Sequence, residues 1–336
     1  MKADAVSSTL SSQHPWPGLA AYDEASTDYF HGREREADAL LQRILLAPLT
    51  VLYGRSGLGK SSLLMAGLFP RLREHAMLPV YLRLDFSAQA MGGPLQQAER
   101  LLDQAIADAG LEAPPRAADE SLWHWLHRRD FELWSADNRL WTPVLVFDQF
   151  EELFSRTGGD DARIGAVFDA LADLAENRIP HELADRREGR DQLDLSTQRY
   201  RMLLSFREDF LPDVRVWERK VPSLLRNDMR LVAMTRAQAV EAVQRAGAQV
   251  LADGVAPKLV DFVGGLGGSA PGRKGTGGAR REAQATGPVT IEPALLSLCG
   301  AQLTQRLAPG RKIDAKLIAE AGEDMLQDFS RRALAG

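Results

Sequence analysis

The sequence predicts an α/β fold: a five-stranded, mostly parallel sheet flanked by helices, followed by a smaller all-α helical domain. Three observations predict it. Short apolar runs alternate with stretches of helical periodicity from Leu49 to Met234. The run Val144 to Phe147 is continuously apolar, as a strand buried on both faces requires. Beyond Thr235 only helical stripes remain. At 336 residues, 45 % hydrophobic and 26 % charged, the chain has room for one large or two modest domains of ordinary globular composition.

Taken in order, residues 1–14 read as a disordered polar tail without the apolar core of a signal segment. Pro15 and Pro17 hold the chain extended, and Leu40, Leu41, Ile44 and Leu45 then recur at helical spacing. The strand that follows enters LTVLYGRSGLGKSSLLMAGL, Leu49 to Leu68, on which the rest depends. Gly54, four free positions and then Gly59, Lys60 and Ser61 form the phosphate-loop pattern between a strand and an apolar-periodic helix. A polyphosphate needs donors that approach closely: backbone N–H groups freed by glycines, a helix N-terminus and an ammonium group. Gly54, Arg55, Ser56, Gly57, Leu58, Gly59, Lys60, Ser61 and Ser62 are therefore candidate nucleotide contacts, with Lys60 reaching the terminal phosphates and Ser61 ligating Mg2+. A tight glycine turn with a solvated Lys60 is the plainer alternative.

The loop helix should run from Ser61 to about Glu74, kinked or shortened at Pro70. Val80 to Phe86 reads as the second strand, and residues 95–109 as an amphipathic helix. Trp123, Trp125, Phe131, Trp134 and Trp141 have no interleaved basic residues on a strand and read as packing, not as a base-stacking platform. The third strand, PVLVFDQFEELF, ends at Asp148, where a carboxylate at a strand's carboxyl end can hold Mg2+ beside a phosphate loop. Glu151 and Glu152 follow, and either can polarise the attacking water or simply favour a helix N-terminus. Tyr200 to Phe210 is the fourth strand; Arg207 at its carboxyl end is placed to stabilise a terminal phosphate, or else to pair with Glu208 or Asp209. Met229 to Met234 is the fifth.

Thr235 and Gln238 form a capping-box pattern that opens the helical region, so a domain boundary is expected near Thr235. Residues 264–288 hold about a third of the chain's 28 glycines and no apolar periodicity, the composition of a disordered insertion. These boundaries give a nucleotide domain over 15–234 and a helical lid over 235–310.

Bulk properties exclude several functions. No apolar run is long enough for a membrane span, and one cysteine, Cys299, permits no internal disulfide, which suits a cytoplasmic protein. A net charge of -5 gives no general attraction to nucleic acid.

The words WPGL, FHGRE, GRSGLGKSSLL, VLVFDQFEELF, LLSFREDF, LVAMTRAQAVEAV and EPALLSLCGAQL, in this order from Trp16 onward, resemble the nucleotide-binding region of the STAND NTPases, the bacterial novel-STAND group in particular. The resemblance implies a P-loop NTPase that binds ATP or ADP with Mg2+. It places Gly32 and Arg33 near the adenine or phosphates, makes Asp148 the Walker B acid and Arg207 a sensor arginine, and offers Pro293 to the base. It further implies a slow regulatory ATPase: ADP holds a closed monomer, and ATP exchange opens it toward self-association that activates an effector, in signalling or antiviral defence. Gln149 stands where many related ATPases carry a catalytic glutamate, which leaves room for a nucleotide-dependent scaffold without useful hydrolysis. Residues 311–336 read as the start of a winged-helix segment, so sensing and output are expected either in a longer chain or in a partner protein. A small-molecule kinase shares the loop but not the helical C-terminal third.

Overall fold

In the order of the chain, a 3-10 turn at Glu24–Tyr29 precedes α1 (Glu34–Leu46), β1 (Leu49–Gly54), α2 (Lys60–Ser62), a π-helical segment (Leu63–Leu68) and α3 (Phe69–Glu74). Next come β2 (Met77–Leu82), α4 (Pro94–Asp108), α5 (Leu122–Leu126), β3 (Leu133–Trp134) and β4 (Leu140–Phe147). They are followed by α6 (Glu152–Arg156), α7 (Asp161–Ala175), α8 (His181–Ala184), β5 (Arg201–Arg207), α9 (Leu211–Arg215) and β6 (Asp228–Arg230). The chain continues through β7 (Met234–Thr235), α10 (Arg236–Ala246), α11 (Val255–Gly267), β8 (Thr290–Ile291) and α12 (Pro293–Gln305). This computed structural model describes residues 10–87, 92–117, 120–158, 160–184, 192–267, 290–308 and 310–321.

These elements form two compact units, one of Glu36–Arg55 and Leu68–Leu231, the other of Met1–Arg35, Ser56–Gly67 and Val232–Gly336. The first is built on a sheet of order β2-β4-β5-β1-β6 whose neighbours are all parallel, with β3 added antiparallel to β4. This sheet thus has six strands among the described residues, five of them on the parallel path. The additional strand, β3, is two residues long and is created by the turn Ser135–Arg139, where the Ser135 N–H donates to the Arg139 carbonyl at 3.0 Å. Val144, Leu145 and Val146 are fully buried, the condition their continuous apolar run requires.

Strand bounds shift for identifiable reasons. The second strand is Met77–Leu82, not Val80 to Phe86, and it contains Pro79. β2 ends the sheet, and an edge strand tolerates the missing N–H of a proline. The stretch read as one fifth strand is divided: β6 pairs with β1, whereas Met234 pairs with Ile291 in a separate two-stranded ladder. The helix after the loop continues to Glu74 despite Pro70, with the turns before the proline widened to π geometry. A proline at 70 cannot donate to the carbonyl of residue 66, and the Thr27 hydroxyl donates to that Ala66 oxygen at 3.3 Å.

The second unit has its own apolar core, including Trp16, Val243, Leu259 and Leu303. Thr235 caps α10 in the expected box: its hydroxyl accepts from the Gln238 N–H at 3.3 Å, and the Gln238 Oε1 accepts from the Thr235 N–H at 3.0 Å. α11 runs through Gly267, four residues into the stretch expected to be an insertion, because Val260 and Val263 beside those glycines are buried in this core. The remainder of that expected insertion (268–288), most of the expected N-terminal tail (1–9) and the end of the stretch expected to start a winged helix (322–336) lie outside the described residues.

Candidate nucleotide site

The phosphate loop begins where β1 ends. Gly54 pairs with Arg207 across the β1–β5 ladder, and a Cβ at Gly54 would lie 2.6 Å from the Leu231 carbonyl oxygen, so no other residue fits. Gly57 and Gly59 take positive φ of 78° and 81°, and Gly59 caps the helix that starts at Lys60. Helical bonding starts at once, with the Leu63 N–H donating to the Gly59 carbonyl at 2.8 Å. Lys60 and Ser61 thus occupy the first turn of a helix, where backbone N–H groups and the helix dipole favour an anion. Arg55 and Ser56 are exposed on the loop, and the Leu58 side chain is buried, so only its backbone can serve a ligand.

In the same unit α12 begins against the loop. The Ala294 N–H donates to the Gly57 carbonyl at 3.2 Å, and a Cβ at Gly59 would lie 3.9 Å from Pro293 Cβ. Three other candidates bind the chain's own backbone. Ser62 Oγ accepts the Tyr22 N–H at 3.1 Å. Arg33, 2 % exposed, donates from Nη2 to the Val232 carbonyl at 2.7 Å. Gly32 faces α10, where a Cβ would lie 2.6 Å from the Gln238 carbonyl oxygen.

On the sheet unit, Asp148 directly follows β4 and is 3 % exposed. Its N–H donates to the Leu82 carbonyl at 3.0 Å, and its Oδ2 accepts from the Tyr81 hydroxyl at 2.9 Å. Gln149 then takes φ +54°, uncommon for a residue with a side chain, and the Phe150 N–H donates to the Ser205 carbonyl of β5. This sharp turn separates the glutamates. Glu151 Oε2 accepts the Arg207 N–H at 3.3 Å, at the carboxyl end of β5, whereas Glu152 pairs with Arg83 at 3.4 Å and Arg156 at 2.7 Å.

Arg207 makes the ion pair with Asp209, at 2.5 Å, while Glu208 pairs with Arg230 at 3.0 Å. Its buried Nε nevertheless has no hydrogen-bond partner, nor does the fully buried Ser205 Oγ two residues before it. Unmet polar atoms on Arg207, the register partner of Gly54, and on Ser205 suit a strand end that receives a polar ligand. Tyr81 is the contact that sequence reasoning missed; its only signal is one hydroxyl-bearing residue in an otherwise apolar strand.

The residue types in each unit suit a magnesium nucleotide: glycine backbone, the Lys60 ammonium group and the Ser61 hydroxyl in one, and the buried Asp148 carboxylate in the other. Against known families, the model described as novel STAND NTPase 1 matches residues 15–264. The chain belongs to this family. No curated protein matches it in sequence. Among solved structures, this novel STAND NTPase is similar to a Walker-type ATPase of Pyrococcus abyssi at 15 % identity and TM-score 0.50, over 90 % of this chain and 76 % of that one. It is also similar to Orc1 of Aeropyrum pernix in complex with DNA, at 15 % identity and TM-score 0.48, over 94 % and 69 % of the two chains. Cdc6p of Pyrobaculum aerophilum matches at 14 % identity and TM-score 0.45, over 82 % of this chain and 60 % of that protein. At 15 % identity the likeness to the Pyrococcus abyssi ATPase concerns the fold alone. Membership of the family makes the chain a nucleotide-dependent NTPase. No helix among the described residues is long and apolar enough to cross a membrane.

Proposed function

We propose that this novel STAND NTPase binds ATP and ADP with Mg2+ and hydrolyses ATP slowly, as a switch whose nucleotide state governs self-association and the activation of an effector. The observation that carries the reading is the glycine-restricted loop leading into the Lys60 helix turn, in a chain that also places the buried Asp148 directly after β4. Lys60 neutralises the terminal phosphates, Ser61 and Asp148 hold Mg2+, and the loop N–H groups take the remaining phosphate oxygens. Magnesium, when bound, offsets charge on the phosphates and favours displacement at the terminal phosphorus.

Between the glutamates the reading favours Glu151 as the water-polarising base. Its carboxylate is engaged by the Arg207 N–H at the carboxyl end of β5, while Glu152 is held by two arginines on the outer side of α6. Arg207 senses the terminal phosphate by exchanging its Asp209 partner for a phosphate oxygen. Pro293 borders the base, and Gly32 and Arg33 act through the backbone they brace.

The test is turnover together with native mass. Glu151→Gln should lower phosphate release by about a hundredfold or more, and Glu152→Gln by less than tenfold. The protein should remain a monomer with ADP and become larger with a non-hydrolysable ATP analogue. The same mass in both nucleotides would remove the switch, and equal losses in the two variants would remove the assignment of Glu151.

A further inference from the structure

Tyr81 lies on β2, opposite Val146 of β4, and Asp148 follows two residues after Val146, directly beyond the end of β4. The phenol spans that diagonal and donates to Asp148 Oδ2 at 2.9 Å. The ring's direction is itself fixed, because Phe69 of α3 meets it edge-on with centroids 6.1 Å apart and an interplanar angle of 68°. The Asp148 backbone is fixed by its bond to the Leu82 carbonyl, immediately after Tyr81. Main chain and one carboxylate oxygen of Asp148 are therefore both tied to consecutive residues of the edge strand.

We propose that Tyr81 is a positioning residue for magnesium: it pins Asp148 Oδ2 and thereby aims Oδ1 at the metal or at a metal-bound water. The proposal rests on the reading of Asp148 as a Mg2+ carboxylate. A hydrogen-bonded carboxylate with one committed oxygen has fewer orientations to lose when the ion arrives, the usual reason that outer partners tune metal affinity. The phenol is neutral, so it orients the acid without competing with the metal for its charge. Nothing in the motif vocabulary marks this residue, because the contact comes from strand register alone.

The experiment uses the full chain and a fluorescent ADP analogue, titrated with Mg2+ after removal of divalent ions with EDTA. Tyr81→Phe keeps the ring and its contact with Phe69 and should raise the half-saturating Mg2+ about ten- to hundredfold. Affinity for the nucleotide in EDTA should match the wild type. In an Asp148→Asn background the same substitution should add nothing further, which a merely structural role for the hydroxyl would not produce. An unchanged Mg2+ midpoint in Tyr81→Phe, or an equal loss of affinity with and without Mg2+, overturns the proposal. Wild-type binding that is independent of Mg2+ would instead overturn the reading of Asp148 on which it rests.

Discussion

His127 is 1 % exposed, stacked on Trp123 and edge-on to Tyr200. Its Nδ1 donates to the Trp123 carbonyl at 2.6 Å, Nε2 lies 3.2 Å from the Tyr200 hydroxyl, and that hydroxyl donates to the Leu174 carbonyl at 2.8 Å. Burial holds the imidazole pKa below its ordinary value. The unfolded chain therefore takes up this proton first as pH falls, so the contribution is complete above the ordinary histidine range and lost below it. Urea midpoints should fall between about pH 7.5 and 5.5, and His127→Phe should flatten that slope while costing about 1–3 kcal/mol at the upper pH. Parallel slopes in the two proteins would show that His127 does not titrate between the states. At the proposed site, Lys60, Ser61 and Asp148 were legible as candidates because the phosphate chemistry prescribes both residue type and spacing. Tyr81 was not, because a side chain that acts across strands leaves no pattern along one strand.

Among the elements, the short WPGL word is explained by α12 and the end of α10. Trp16 is 6 % exposed, and added Cβ atoms at Gly300 and Gly247 would lie 2.5 Å and 2.8 Å from its ring, so these glycines form its seat. Trp16→Ala should cost about 3–5 kcal/mol of stability by leaving a cavity. Gly300→Ala should cost about 1–3 kcal/mol by overpacking, and both are read from denaturant midpoints. A Gly300→Ala protein as stable as the wild type would show that the ring has room to move. Periodicity located α1, α4 and α10 because their buried stripes are regular. It could not place β3, β7 or β8, each of two residues, since their strand character comes only from partners elsewhere in the chain. Pro79 sits within an edge strand and Pro70 within a continuing helix for one reason: a proline's lost hydrogen bond matters only where the fold would have used it.

Over the whole molecule, the division between the two compact units falls at Leu231–Val232, three residues before the expected boundary, and also at Arg55–Ser56, inside the phosphate loop. The second division had no sequence signal. Residues 1–35 and 56–67 join the helical unit through contacts with remote residues, such as Gly32 with Gln238 and Gly57 with Ala294. Strand order within the sheet was likewise hidden, whereas the alternation that specifies a parallel sheet was plain. The proposed roles of Lys60 and Asp148 toward magnesium nucleotide are checked most directly by phosphate release from ATP. Wild-type protein should release phosphate over many turnovers only with Mg2+, and Lys60→Ala or Asp148→Asn should lower that rate about a hundredfold or more with thermal stability retained. Turnover that is absent in the wild type, or unchanged in Lys60→Ala, would contradict them.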